Sequence, residues 1–171
     1  MKNTVLKYGL YSFLTAFGLF FIALYFGQGL AFTTQEVIGY TTMVTSLSFV
    51  YFGIKHYKNH ELNGKIDFKT AFSIGALISL FAAIGFGLMD AIYITKINPD
   101  FTEQYLAYEY NLLDARTDLS IKEINLEKVS LQKQSEAFGN PFTVFFIMSM
   151  MVFVIGIIIS LLSALVLHKK E

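Results

Sequence analysis

The chain has 171 residues, of which 54% are hydrophobic and 15% charged, and its formal net charge is zero. A zero net charge gives no sign of a strongly acidic or basic partner, and we expect no binding to nucleic acid. The absence of cysteine excludes disulfides, a thiolate nucleophile and a cysteine metal site. Apolar residues are concentrated in long segments, so the sequence predicts an integral membrane protein.

Four apolar segments reach the length of roughly 20 residues that a helix needs to cross a membrane. They cover about residues 5–30, 35–57, 68–95 and 141–167. The first segment also resembles a signal sequence, but it has no A-x-A cleavage pattern and its apolar part is too long, so we interpret it as a retained span. The sequence therefore predicts an all-α fold, in which residues 1–171 form a single membrane domain built on a bundle of four transmembrane helices.

Capping signals mark where the later spans begin. Thr33 and Glu36 have the T-x-x-E spacing of a capping box ahead of the second span. Asp67 is placed to cap the third span. Asn140 and Pro141 suit the cap and the first helical position of the fourth span.

Lysines near the span ends predict the orientation of the bundle. If the spans alternate, eight of them lie on one side: Lys2, Lys7, Lys55, Lys58, Lys65, Lys69, Lys169 and Lys170. The opposite side has five basic residues, and eight acidic ones lie between Asp100 and Glu136. Because cytoplasmic span ends carry an excess of lysine and arginine, we expect both termini to be cytoplasmic.

The polar segment at about residues 99–138 is predicted to form an extracytoplasmic helical hairpin between the third and fourth spans. Phe101, Tyr105 and Tyr108 recur at helical spacing and therefore share one face. Ser120 and Glu123 have capping-box spacing and begin the second helix of the hairpin. The aromatic face either lies on the membrane, caps the bundle or binds a partner.

The third span carries a small residue at every fourth position. These residues are Ala71, Gly75, Ser79, Ala83, Gly87 and Ala91, and the fourth span has a shorter series, Gly156, Ser160 and Ala164. Such ladders let helix backbones approach closely in lipid, where packing must drive association. Packing within the chain is the favoured interpretation, with a homo-oligomer face and a pore-lining stripe as the alternatives.

Asp90 is a lone carboxylate inside the third span. At about 100° per residue its side chain points along the small-residue ladder, into a helix interface. It lies roughly 12 Å from the middle of the span near Phe81, against a hydrocarbon half-thickness of about 15 Å. The sequence favours a structural contact that ties the third span to its neighbours or to the hairpin, with Tyr93, Lys96 or a tyrosine of the hairpin as partner, over a binding, proton or ion site.

The other polar clusters give little sign of chemistry. His56 and His60 are four residues apart and could share a metal, but two ligands are too few for a convincing site. We expect instead a solvated basic loop that touches anionic lipid headgroups, with no metal and no cofactor. There is no Gly-rich phosphate loop, no G-x-S-x-G and no H-E-x-x-H, so we expect no enzyme.

Several segments carry a family resemblance. They are "SLSFVYFGIKHYKN", "NGKIDFKTAFSIGALISL", "NPDFTEQY" and "NPF". In these segments the chain resembles the bacterial membrane family catalogued as domain of unknown function 4199, over nearly its whole length. The resemblance implies four transmembrane helices with a polar stretch between the third and fourth, and a bacterial cytoplasmic (inner) membrane. It implies no activity and no catalytic or binding residues.

Three functions remain as hypotheses. The leading one is a non-enzymatic membrane protein that acts through protein contacts, using the hairpin or the ladder to hold itself as a homo-oligomer or another membrane protein within the lipid bilayer. Its basis is the size of the hairpin, since a connection between spans needs only a handful of residues. The alternative is an oligomeric transporter or channel subunit with Asp90 as an ion or proton site. A membrane enzyme acting on lipid would require Asp90, Glu103, Glu109 or Asp114 to converge on one cavity.

Overall fold

The computed structural model describes residues 1–169, and within them the chain forms six α-helices, one π-helix and no strand. The α-helices are α1 (Lys2–Phe26), α2 (Phe32–His60), α3 (Phe68–Ile92), α4 (Phe101–Asp114), α5 (Ile121–Phe138) and α6 (Pro141–Leu167), and the π-helix spans Tyr93–Ile97. Lys170, one of the lysines that predict the orientation, lies outside the described residues.

Four of these elements are long and apolar enough to cross a membrane: α1, α2, α3 with the π-helix that continues it, and α6. The predicted all-α membrane bundle is therefore confirmed. The helices α4 and α5 form the segment between the third and fourth spans. We call the end of the bundle where they lie the hairpin end, and the opposite end the loop end.

Three of the predicted caps are present. The Asp67 side chain accepts a hydrogen bond from the backbone N–H of Thr70 at 2.9 Å and begins α3. Ser120 and Glu123 form a reciprocal capping box at the start of α5. Asn140 accepts from two first-turn amides of α6 at 2.9 and 3.4 Å. Each cap satisfies backbone donors that have no partner inside the helix, which fixes where the helix begins.

The capping box predicted at Thr33 and Glu36 is wrong, and α1 ends at Phe26 rather than near residue 30. The chain turns between the two helices with Gly29 at a φ of +85°, a conformation that glycine adopts without steric cost. The N-cap of α2 is Ala31, whose side chain makes no capping bond. Glu36 instead accepts a hydrogen bond from the Tyr105 hydroxyl of the hairpin.

The central helix of the bundle is α3, which packs against α6, α1 and α2. Its core partners on α2 are aliphatic and fully buried: Leu47, Val50 and Ile54. The apolar side chains on the opposite faces of α1, α2 and α6 are exposed, as lipid-facing residues must be, since lipid solvates them as well as protein does. One face of α3 is exposed at Leu77, Leu80, Ile84 and Leu88, whereas its polar residues Ser79 and Asp90 are buried among protein groups.

Candidate functional site

The small-residue ladder of α3 packs against α6. A Cβ atom added to Gly75 would lie 2.8 Å from the Cβ of Ser160, and one added to Gly156 would lie 2.5 Å from the Cβ of Ser79. The hydroxyls of Ser79 and Ser160 are 3.1 Å apart, and each also donates to a carbonyl of its own helix. The two backbones therefore approach closely because both helices place small residues at the crossing.

The ladder continues toward the hairpin end. Ala83 is fully buried, and a Cβ added to Gly87 would meet the Ser149 hydroxyl oxygen at 2.1 Å and the Phe145 carbonyl oxygen at 2.5 Å. In this structure the ladder is covered by the chain's own α6. The small residues of the ladder from Gly75 to Gly87 are therefore buried within the chain.

Asp90 lies one turn beyond Gly87 and is only 8% exposed. Its side chain makes no hydrogen bond and no ion pair within residues 1–169. The polar contact that the sequence favoured is therefore not formed: the Tyr93 hydroxyl accepts from Asn98, and Lys96 is exposed. An ionised carboxylate that is largely shielded from water needs a counter-charge, a proton or hydrogen-bond donors, and residues 1–169 supply no hydrogen bond to the Asp90 side chain.

The π-helix begins three residues after Asp90. The N–H of Asn98 donates to the carbonyl of Tyr93 at 2.8 Å, five residues back, so the helix widens where it leaves the bundle. Wide turns of this kind are rare and are frequent at functional sites. The sequence carries no signal for it beyond Asn98 and Pro99, which mark only the end of the helix.

The joint between bundle and hairpin is aromatic. Tyr93 is 2% exposed, and its ring meets that of Phe101 edge-on, with centroids 5.2 Å apart. The ring of Phe32, at the start of α2, contacts those of Phe101, Tyr105 and Tyr108 at 6.0, 5.5 and 4.9 Å. The predicted aromatic face of the hairpin thus lies against the bundle through α4, and Phe32 is its central contact.

One hydrogen bond accompanies this aromatic contact. The Tyr105 hydroxyl donates to the Glu36 carboxylate at 3.3 Å. Burial first, and then the nearby carboxylates of Glu109 and Glu36, raise the pKa of Tyr105. The phenol therefore keeps its proton across the physiological range and remains a donor to α2.

Replacing Phe32 by alanine is expected to release α4 from the bundle. Each aromatic pair contributes about 0.5–1.5 kcal/mol beyond area burial, and Phe32 makes three of them. Hydrogen exchange of α4 amides should become at least tenfold faster while that of α3 stays unchanged. Phe142→Ala is the control, because Phe142 is 75% exposed on α6. Unchanged exchange in Phe32→Ala would show that other contacts hold the hairpin.

Helix α5 lies at the surface of the described chain. None of its residues is buried. It is fastened to α4 by the Lys128 ammonium, which donates to Asp114 at 2.6 and 2.7 Å, and by the Tyr110 hydroxyl, which donates to the Lys128 carbonyl at 3.2 Å. Three apolar side chains on it point away from the chain: Ile121 at 79%, Leu126 at 62% and Val129 at 53% exposure.

The hairpin and the four spans lie within one sequence match. Residues 7–169 match the family described as "Protein of unknown function (DUF4199)". The chain belongs to the DUF4199 family. No curated protein and no solved structure matches it. The family resemblance seen in the sequence is thus confirmed. The description of the DUF4199 family names no activity.

The two histidines of this DUF4199 chain lie at the loop end. The rings of His56 and His60 stack with centroids 4.4 Å apart, and the Tyr8 ring lies 5.4 Å from that of His56. Glu61 accepts a hydrogen bond from Thr4, which holds the pKa of Glu61 below its usual value. Across residues 1–169 no three His, Cys, Asp or Glu side chains come together as metal ligands would.

The carboxylates considered for an enzyme do not converge on the acidic cavity of the hairpin end. That cavity has a volume of about 270 Å³ and is lined by Glu103 of α4 and Glu136 of α5. Asp90, Glu109 and Asp114 are not among its lining residues. The two acids that do line it, Glu103 and Glu136, are both exposed.

Proposed function

We propose that the protein is a non-enzymatic membrane protein that acts through protein contacts, with α5 as the surface that holds the partner. The bundle anchors the hairpin, α4 fixes it to the membrane surface, and α5 is presented outward. The proposal includes the orientation given by the lysines, with both termini in the cytoplasm and the hairpin outside a bacterial inner membrane. The partner is another membrane protein or a second copy of this chain.

The exposed side chains of α5 support this proposal. Exposed leucines and valines on the spans need no partner because lipid covers them. Helix α5 belongs to the polar segment outside the spans, so Ile121, Leu126 and Val129 face water when nothing covers them. Amphipathic helices of this kind are a common element of protein recognition, in which the apolar side chains seat in a groove of the partner.

Photo-crosslinking in cells tests the proposal. A benzophenone amino acid at Leu126 or Val129 is expected to give the same discrete protein adduct, because both side chains lie on the exposed surface of α5. The matched control is the same probe at Ile124, which is half-buried on this helix and should give no such adduct. Glutamate at Leu126 should reduce the yield from Val129 severalfold. Adducts with lipid alone, or equal yields at all three positions, would contradict the proposal.

A second candidate is an ion or proton site at Asp90 in an oligomeric transporter or channel. Its support is the buried carboxylate without a partner in the described chain, directly ahead of the π-helix. Acidic residues within membrane spans commonly serve proton and ion pathways. A hydrophobic carbodiimide, which attacks carboxyl groups inside the membrane, should label the protein but not Asp90→Asn, and Na⁺ or Li⁺ should protect a cation site. Equal labelling of both proteins, or equal proton flux through both in vesicles, would remove this candidate.

A further inference from the structure

A cavity of about 250 Å³ opens at the hairpin end beside the aromatic joint. It lies between the α1–α2 turn, the first turn of α2, the π-helix and α4. Four of its nine lining residues carry a carboxamide: Gln28, Gln35, Asn98 and Gln104. No Asp, Glu, Lys, Arg or His lines it. The cavity is thus neutral, and most of its accessible surface belongs to hydrogen-bonding groups.

The carboxamides retain much of their hydrogen-bonding capacity. Gln35 donates to the Leu30 carbonyl at 2.9 Å, and the Asn98 amide donates over longer distances, 3.3 Å to Gln104 and 3.4 Å to Tyr93. The Gln35 and Asn98 side-chain oxygens and the Gln104 amide nitrogen make no further bond within residues 1–169. The Gln28 side chain makes no hydrogen bond within residues 1–169. Since each carboxamide both donates and accepts, the cavity offers alternating donors and acceptors.

This lining selects the chemistry of an occupant. An ion would lack a counter-charge there, because every lining residue is neutral. An apolar ligand would cover the carboxamides and leave them without hydrogen-bond partners, which is unfavourable. A sugar meets both conditions, because it is uncharged and its hydroxyls donate and accept hydrogen bonds as the carboxamides do. The volume of the cavity is close to the volume that about eight molecules of liquid water occupy, which is enough for one sugar ring.

We propose that this cavity binds an uncharged monosaccharide unit, supplied as a free sugar or as the headgroup of a glycolipid in the adjacent leaflet. The unit bridges Gln28 and Gln35 on one side to Asn98 and Gln104 on the other. Binding therefore ties α4 to the first two spans. The proposal does not depend on the partner of α5, since the two sites share no residue.

The test uses the full chain in phospholipid nanodiscs, purified without sugar-based detergents. In one arm, saturation-transfer NMR is recorded with free glucose and with N-acetylglucosamine. In the other, nanodiscs containing monoglucosyl diacylglycerol are examined by native mass spectrometry for retained glycolipid. We expect one arm to be positive, and the positive arm identifies the source of the sugar.

Substitutions then locate the binding. Gln28→Leu and Gln104→Leu should each weaken the positive signal about 5- to 10-fold, the effect of one lost hydrogen bond. Gln132→Leu on exposed α5 is the matched control and should bind as the wild type does. Gln28 makes no protein hydrogen bond, so its variant should retain the wild-type melting temperature. No binding in either arm, or binding that both cavity variants leave unchanged, would overturn the proposal.

Discussion

Alanine at Gly87 is expected to lower the free energy of unfolding by about 2–3 kcal/mol, the upper part of the range for overpacked cores. The added Cβ would meet the Phe145 carbonyl oxygen at 2.5 Å, and that atom belongs to the backbone of α6. A flexible side chain could move aside, but a helix backbone must shift as a whole. The α3–α6 pair would have to separate along the ladder and lose contacts on both sides.

The matched control for this effect is Gly18→Ala on α1. No atom lies within 4 Å of a Cβ added to Gly18, so the same chemical change meets no obstacle there. Its stability should be unchanged or slightly higher, because glycine weakens a helix interior by up to about 1 kcal/mol relative to alanine. Thermal unfolding in detergent, followed by circular dichroism, measures both. Equal melting temperatures for the two variants would contradict the close packing at Gly87.

Asparagine at Asp90 is expected to leave the free energy of unfolding unchanged or raise it by up to about 2 kcal/mol. A carboxylate at the bilayer centre costs about 2.5–3.5 kcal/mol on insertion scales and less toward the interface, and asparagine does not carry this cost. Removing one partner of a buried ion pair would have the opposite effect, a loss of about 3–5 kcal/mol. The sign of the change therefore distinguishes an isolated acid from a structural joint.

Asp67→Ala provides the comparison, because the Asp67 carboxylate accepts a known hydrogen bond as the N-cap of α3. This variant should lose about 1 kcal/mol, the usual effect of removing an N-cap. Denaturant titration in mixed micelles measures both substitutions under one set of conditions. A loss of stability in Asp90→Asn equal to or greater than that in Asp67→Ala would show that Asp90 has a polar partner after all.

Three unusual features lie close together at the hairpin end. Asp90 is buried without a partner, the π-helix follows it, and Tyr93 of that helix lines the carboxamide cavity. At the loop end, by contrast, the described polar contacts include the Asp67 cap of α3 and the hydrogen bond from Thr4 to Glu61. We therefore expect substitutions at the hairpin end to affect function and those along the ladder to affect folding.

The sequence by itself determined the transmembrane helices and most of their starting points. Span length, the caps at Asp67, Ser120 and Asn140 and the four-residue period of small side chains are local features, because they depend on residues within one or two turns of each other. The structure therefore agrees with them closely. The capping signal at Thr33 and Glu36 failed because α2 already begins at Phe32, so that Thr33 lies inside the helix, and Glu36 bonds to Tyr105 of the hairpin.

Only the tertiary structure decided which groups meet. The cavity joins Gln28 to Gln104, residues far apart in the chain, and no periodicity connects them. The same holds for Phe32, whose position beside a glycine-containing turn gives no sign of the three rings it contacts. The sequence predicts that Asp90 faces a helix interface, but a hydrogen-bond partner is a property of the whole packing. In the described chain this carboxylate is buried and makes no hydrogen bond.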